Sequence, residues 1–181
     1  MERFLDEVCS PAWHAPHDRG VPTAPSCAAL ASRHPDLAEP IWAWSSRSDE
    51  MIGGVDAGSV EILRAVKESG LPCYALTNME AETYPVRRGR YPFLQWFDGT
   101  VVSGWEGMAK PDPAIFRLLL DRHGLMAETT LMIDDRGENL DAADRLGMQT
   151  LLFRSSRQLR TGLEAAGVLR RSVAPQRPGA R

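Results

Sequence analysis

The chain has 181 residues, 43% of them hydrophobic and 25% charged, and a formal net charge of -3. That length supports one domain with a true core and a small appendage, and the charge gives no electrostatic case for nucleic acid or an anionic membrane as partner. Three widely spaced cysteines (Cys9, Cys27, Cys73) fit reduced thiols better than a disulfide framework, and no stretch approaches the ~20 apolar residues that span a bilayer, so a cytoplasmic protein is expected.

Residues 1–52 read as a small helical unit, with short helix-like patches broken by Pro11, Pro16, Pro22, Pro25, Pro35 and Pro40. Trp13, Trp42 and Trp44 supply bulky apolar anchors there, expected to pack between helices. Beyond Gly53-Gly54, helix and strand patterns alternate. Ser59 to Ser69 places Ile62, Leu63 and Val66 on one face and stops at Gly70, as a helix does. Pro72 to Leu76 is a short apolar run suited to a fully buried strand, and Thr100 to Ser103 is a second strand. Asp112 caps a helix with Pro113 at its first position and Gly124 at its end, directing Ile115, Leu118 and Leu119 to the core.

Thr130 to Ile133 is the third strand, continuing to Asp135 as a buried segment from Leu131. Leu140, Ala143 and Leu146 carry the next helix, closed by Gly147. Gln149 to Phe153 is the fourth strand, and Leu159, Leu163 and Ala166 mark a last helix. The stretch 170–181 is basic, proline-rich and without periodicity, and is expected to be disordered. The alternation predicts an α/β fold over residues 53–169, a Rossmann-like parallel sheet with flanking helices, whose ligands bind beyond the carboxyl ends of the strands.

Three polar features fall at such strand ends. Thr77-Asn78 can hold an anion through a hydroxyl and backbone N–H groups. Lys110 stands just before the capped helix, and Asp134-Asp135 closes the third strand with Asn139 four residues on. Adjacent carboxylates at a buried strand end repel each other and need a cation; Mg²⁺, with its oxygen ligands and retained waters, is the natural candidate. Lysine adds a second positive charge for phosphoryl oxygens. A zinc site from Cys9, His14 and His17 matches no common ligand spacing and lacks an evident fourth ligand.

Leu76-Thr77-Asn78, then Lys110-Pro111-Asp112-Pro113-Ala114-Ile115-Phe116, then Met132-Ile133-Asp134-Asp135 with Asn139, Ala142-Ala143 and Leu146-Gly147, resembles the haloacid dehalogenase superfamily of hydrolases, from about Val55 to Phe153. The resemblance implies that residues 1–52 are part of a helical cap. It implies that Thr77 and the Asn78 backbone bind the transferring phosphoryl group, and that Lys110 steadies phosphate and the attacking carboxylate. Asp134 and Asp135 would hold or orient Mg²⁺, with Asp135 and Lys110 as catalytic groups.

The family's nucleophile is an Asp on a first strand that precedes the cap, and no such motif is present. Asp98-Gly99-Thr100-Val101-Val102 mimics its end, but Trp96 occupies the nucleophile's position and the segment follows Thr77, so it reads as a turn into a strand. An N-terminally shortened, inactive chain is expected, with two strand edges exposed and open to self-association. The leading expectation is a Mg²⁺-dependent phosphatase of a small phosphorylated metabolite. The alternatives are a 2-haloacid dehalogenase-type hydrolase and a non-catalytic phosphate-binding protein.

Overall fold

The computed structural model describes residues 4–170. The stretch expected to be disordered lies outside them from residue 171 onward.

A π-helical turn at Phe4–Val8 leads into α1 (Pro11–His14), which starts where the Ser10 side chain accepts a hydrogen bond from the Trp13 N–H. A 3₁₀ turn at His17–Arg19 follows, then α2 (Thr23–Arg33) and α3 (Ala38–Ser46). Pro25 and Pro40 do not break these helices. Each lies in a first turn, where a missing N–H costs no intrahelical bond. The unit has its own apolar cluster of Val8, Cys9, Cys27, Leu30, Ala31 and Ile41, in which the Cys27 thiol donates to the Ile41 carbonyl at 3.4 Å.

The second part begins with α4 (Ala57–Glu68), capped by the Asp56 carboxylate, which accepts from the Gly58 and Ser59 N–H groups; that cap sets the start earlier than Ser59. In order follow β1 (Tyr74–Thr77), α5 (Thr83–Arg90), β2 (Gly99–Val102), α6 (Ser103–Glu106) and α7 (Pro113–His123). β3 (Leu131–Asp134), α8 (Gly137–Asp144), β4 (Gln149–Leu152) and α9 (Ser156–Ala165) complete it. The ends of α7 are those of the sequence reading: Asp112 accepts from the Ala114 N–H, and Gly124 takes the left-handed φ of 62°.

β1 pairs with β2 in parallel, Tyr74 beside Gly99 and Thr77 beside Val102; β3 pairs with β4 in parallel, Leu131 beside Gln149 and Asp134 beside Leu152. Helices cover both faces. Val101, Phe116, Leu119, Met132, Leu140 and Ala143 form one cluster running from β2 through α7 to β3 and α8. Ile62, Leu159 and Leu163 pack Leu131 and Leu151 from the other side.

The two pairs are separate two-stranded sheets, not one continuous ladder. β1 and β3 therefore have a hydrogen-bonded neighbour on one side only. This corrects the burial expected from sequence: β1 is half-buried along its length, Ile133 is 37% exposed, and Asp135 lies past the strand end and is exposed.

Candidate active site

Thr77 ends β1, and the next side chain, Asn78, is committed inside the protein. Its Nδ2 donates to the Lys110 carbonyl at 2.9 Å while its Oδ1 accepts from the Lys110 N–H at 2.8 Å. The amide thus imitates a strand partner for one peptide and fixes the position from which the Lys110 side chain departs. The Lys110–Pro111 bond is cis. The loop after β1 is held from the start of α6 as well: Ser103 Oγ accepts from the Met79 N–H at 2.8 Å, and the Gly104 N–H donates to the Met79 carbonyl at 3.1 Å.

Lys110 Nζ reaches Asp134 Oδ2 at 2.6 Å, with the two side chains 11% and 4% exposed. Asp134 Oδ1 accepts from the Arg136 N–H at 2.9 Å and from Asn139 Nδ2 at 2.8 Å. Burial works to raise the Asp134 pKa, but the bonds from Lys110, Asn139 and the Arg136 N–H outweigh it and hold the carboxyl below its ordinary value. Asp134 Oδ2 takes one hydrogen bond and keeps a lone pair, and Asp135 is exposed, so both carboxylates of the pair have an oxygen to offer a cation. That donor set fits a hard divalent ion: Mg²⁺ takes one or two carboxylates and fills its remaining positions with water and phosphate. Asn139 Oδ1 is buried without a hydrogen-bond partner.

Sequence reasoning singled out Thr77, Asn78, Lys110 and the acidic pair as candidates, but not the bracing of the Lys110 peptide by the Asn78 side chain or of the Met79 peptide by Ser103. It also missed a cavity of about 260 Å³ between the N-terminal helices and the loop after β1, lined among others by His14, Asp18, Trp44, Asn78, Glu80 and Arg87. No signal in the chain points to it, because its walls come from segments far apart in sequence. Trp13 and Trp44 pack edge to face at 5.9 Å, as anchors should, whereas Trp42 is exposed. His17 is buried against Trp13, and that burial pushes its pKa down; burial also pushes the neighbouring Asp18 up. The Cys9 thiol, buried in the helical cluster near Cys27, is pushed up to about 11. Asp98 sits at a turn into β2, accepting from Lys67 Nζ and from the Cys73 N–H at 2.7 Å.

The haloacid dehalogenase-like hydrolase family model matches residues 29–147, more than half of the chain. A sesquiterpene phosphatase, astK, of Aspergillus oryzae is 34% identical over 93 residues, covering 51% of this chain and 47% of that protein. The chain thus spans less than half the length of that relative. Among solved structures, a HAD-like family hydrolase from Porphyromonas gingivalis superposes with a TM-score of 0.70 at 18% identity, over 93% of this chain and 84% of that one. A HAD family enzyme from Bacteroides thetaiotaomicron, in complex with magnesium and inorganic phosphate, gives a TM-score of 0.66 at 20% identity, over 85% of this chain and 78% of that one. These likenesses share the fold described above. The chain belongs to the haloacid dehalogenase-like hydrolase family.

Proposed function

We propose that the chain carries the phosphoryl- and metal-binding part of a Mg²⁺-dependent phosphatase site for a small phosphorylated metabolite, with residues 1–52 as part of a helical cap over it. The observation that carries this reading is the hydrogen-bonded series Asn78–Lys110–Asp134, which fixes an ammonium at the carboxyl ends of β1 and β3. Ligands of open α/β sheets bind at that rim.

In this reading the Thr77 hydroxyl and the Asn78 backbone hold phosphoryl oxygens, and Lys110 offsets their charge. Asp135 holds Mg²⁺, which when bound neutralises phosphoryl charge. Asp134 positions Lys110, and its Oδ2, which takes one hydrogen bond, keeps a lone pair with which to hold or orient the ion beside Asp135. The name of the Aspergillus relative and the magnesium–phosphate complex of the Bacteroides enzyme support a phosphatase over a dehalogenase.

Turnover by covalent catalysis needs an attacking carboxylate beside the phosphoryl site. Among the described residues no aspartate ends a strand between β1 and β3. The chain is therefore proposed to bind phosphate and metal without hydrolysing the ester. Titration with inorganic phosphate tests the binding site: Mg²⁺ is expected to strengthen binding, and both Lys110→Ala and Asp135→Asn to weaken it. Phosphate binding indifferent to Mg²⁺ and to both substitutions would sink the assignment.

Each described strand has one unpaired side, and copies of the chain are proposed to pair at such an edge, which sedimentation at increasing concentration reads directly. Net charge gives no reason to expect nucleic acid as partner, and no described helix is long and apolar enough to cross a membrane.

A further inference from the structure

His14, His17 and Glu80 each bring one donor atom within 4.8 Å of the other two. The histidines come from the end of α1 and the 3₁₀ turn after it, while Glu80 belongs to the loop that follows β1. The sequence offers His14 and His17 as zinc ligands beside Cys9 but gives no hint of Glu80, which stands more than sixty residues from His14. The two parts meet closely here. Gly20, at φ +90°, lies so near Gly104 that a Cβ on it would stand 2.6 Å from the Gly104 carbonyl oxygen.

The groups around the trio are arranged as around a metal centre. His17 is 1% exposed, and its Nδ1 is buried with no hydrogen-bond partner among the described residues. A buried, unpaired ring nitrogen is costly unless something binds its lone pair. His14 Nδ1 lies 4.0 Å from Glu80 Oε1, and its other nitrogen, Nε2, faces Asp18 Oδ1 at 3.7 Å. A carboxylate behind the far nitrogen of a ligating histidine fixes the ring and raises its basicity. Thr83 Oγ1 donates to Glu80 Oε2 at 2.8 Å, which orients that carboxylate.

We propose that His14, His17 and Glu80 form a Zn²⁺ site, oriented by Asp18 and Thr83, that ties the N-terminal helices to the loop of the phosphoryl site. Two imidazoles and a carboxylate are a zinc donor set, whereas Mg²⁺ prefers oxygen alone. Donor atoms around tetrahedral zinc stand roughly 3.3–3.5 Å apart, given bonds of about 2.0–2.1 Å, so the trio closes by small side-chain movements. A fourth position faces the cavity and takes water. The Trp44 indole N–H donates to His14 Nδ1 at 3.2 Å, so coordination through that nitrogen exchanges the hydrogen bond for a metal bond. A change in tryptophan emission that is lost in Trp44→Phe reports the exchange.

This site is separate from Asp135, and the experiment separates the two. Zn²⁺ is titrated into the full chain in the presence of excess Mg²⁺, read by a competing chromophoric chelator and by tryptophan emission, with Co²⁺ substitution for the coordination spectrum. The expected result is one Zn²⁺ per chain, a tetrahedral Co²⁺ spectrum, and affinity weakened about tenfold or more by His17→Ala and by Glu80→Gln. Asp135→Asn is expected to bind Zn²⁺ as the unsubstituted chain does. Glu80→Gln preserves shape at a partly exposed position, so it decides the matter if His17→Ala does not fold. Failure of the unsubstituted chain to bind Zn²⁺, unchanged affinity in Glu80→Gln, or loss of Zn²⁺ in Asp135→Asn would each overturn the proposal.

Discussion

Lys110 Nζ and Asp134 Oδ2 stand 2.6 Å apart with both side chains nearly buried, so this ion pair is a buried one. Breaking it from either side strands a charge. Asp134→Ala and Lys110→Ala are each expected to lower unfolding free energy by about 3–5 kcal/mol. Urea unfolding of the two variants and the double variant checks this. The double variant should lose clearly less than the sum of the singles, because it leaves neither charge uncompensated.

The same pair sets an acid limit on stability. The Asp134 carboxyl is held below its ordinary pKa in the folded chain, despite burial, by Lys110, Asn139 and the Arg136 N–H. A depressed folded pKa contributes stability that is fully present above the unfolded value, about 3.9 for aspartate. That contribution is lost as pH falls through the folded value. Thermal melts between pH 7 and pH 2 should show a loss on the acid side of pH 4. Its slope should be shallower in Asp134→Asn; an identical slope would remove Asp134 from the account.

Asn78 is expected to matter for the Lys110 backbone and not for charge. Asn78→Ala removes two hydrogen bonds and leaves the Lys110 N–H and carbonyl without that partner, at about 1–3 kcal/mol per buried group left unsatisfied. Asn78→Asp keeps the acceptor for the N–H but sets a carboxylate oxygen against the carbonyl, so it should not rescue. Denaturation of both variants decides between bracing and simple space-filling, in which Asn78→Asp would be neutral.

Asp135 should behave oppositely to its neighbour. It is exposed, so Asp135→Asn is expected to leave stability within about 0.5 kcal/mol. Mg²⁺ binding, followed by calorimetry, should fall sharply in the same variant. The contrast with Asp134→Asn, which should lose stability, tests the division of labour within the acidic pair.

Much of this was legible in the chain. Asp112, Pro113 and Gly124 bracket α7 through local chemistry, and local chemistry is what a sequence displays. Gln149 likewise opens β4 where the apolar run begins. The helix α5 was not legible: Thr83–Arg90 contains Pro85 and Gly89 and has no apolar stripe. What holds it is tertiary, with Tyr84 buried and its hydroxyl donating to Thr100 Oγ1 at 3.2 Å. The Asn78–Lys110 bracing joins residues 32 apart, and the trio around Glu80 joins residues farther apart still. Ile133 lies in an apolar run that reads as a buried strand, yet it is 37% exposed in a β3 that pairs with β4 alone among the described strands.

Phosphate release from a generic monoester such as p-nitrophenyl phosphate, with and without Mg²⁺, tests the central claim most directly. The chain with its Lys110–Asp134 pair and Asp135, and no attacking aspartate among the described residues, is expected to release phosphate no faster than background. Robust Mg²⁺-dependent turnover that disappears in Asp135→Asn would contradict it, because a nucleophile would then have to stand elsewhere in the chain.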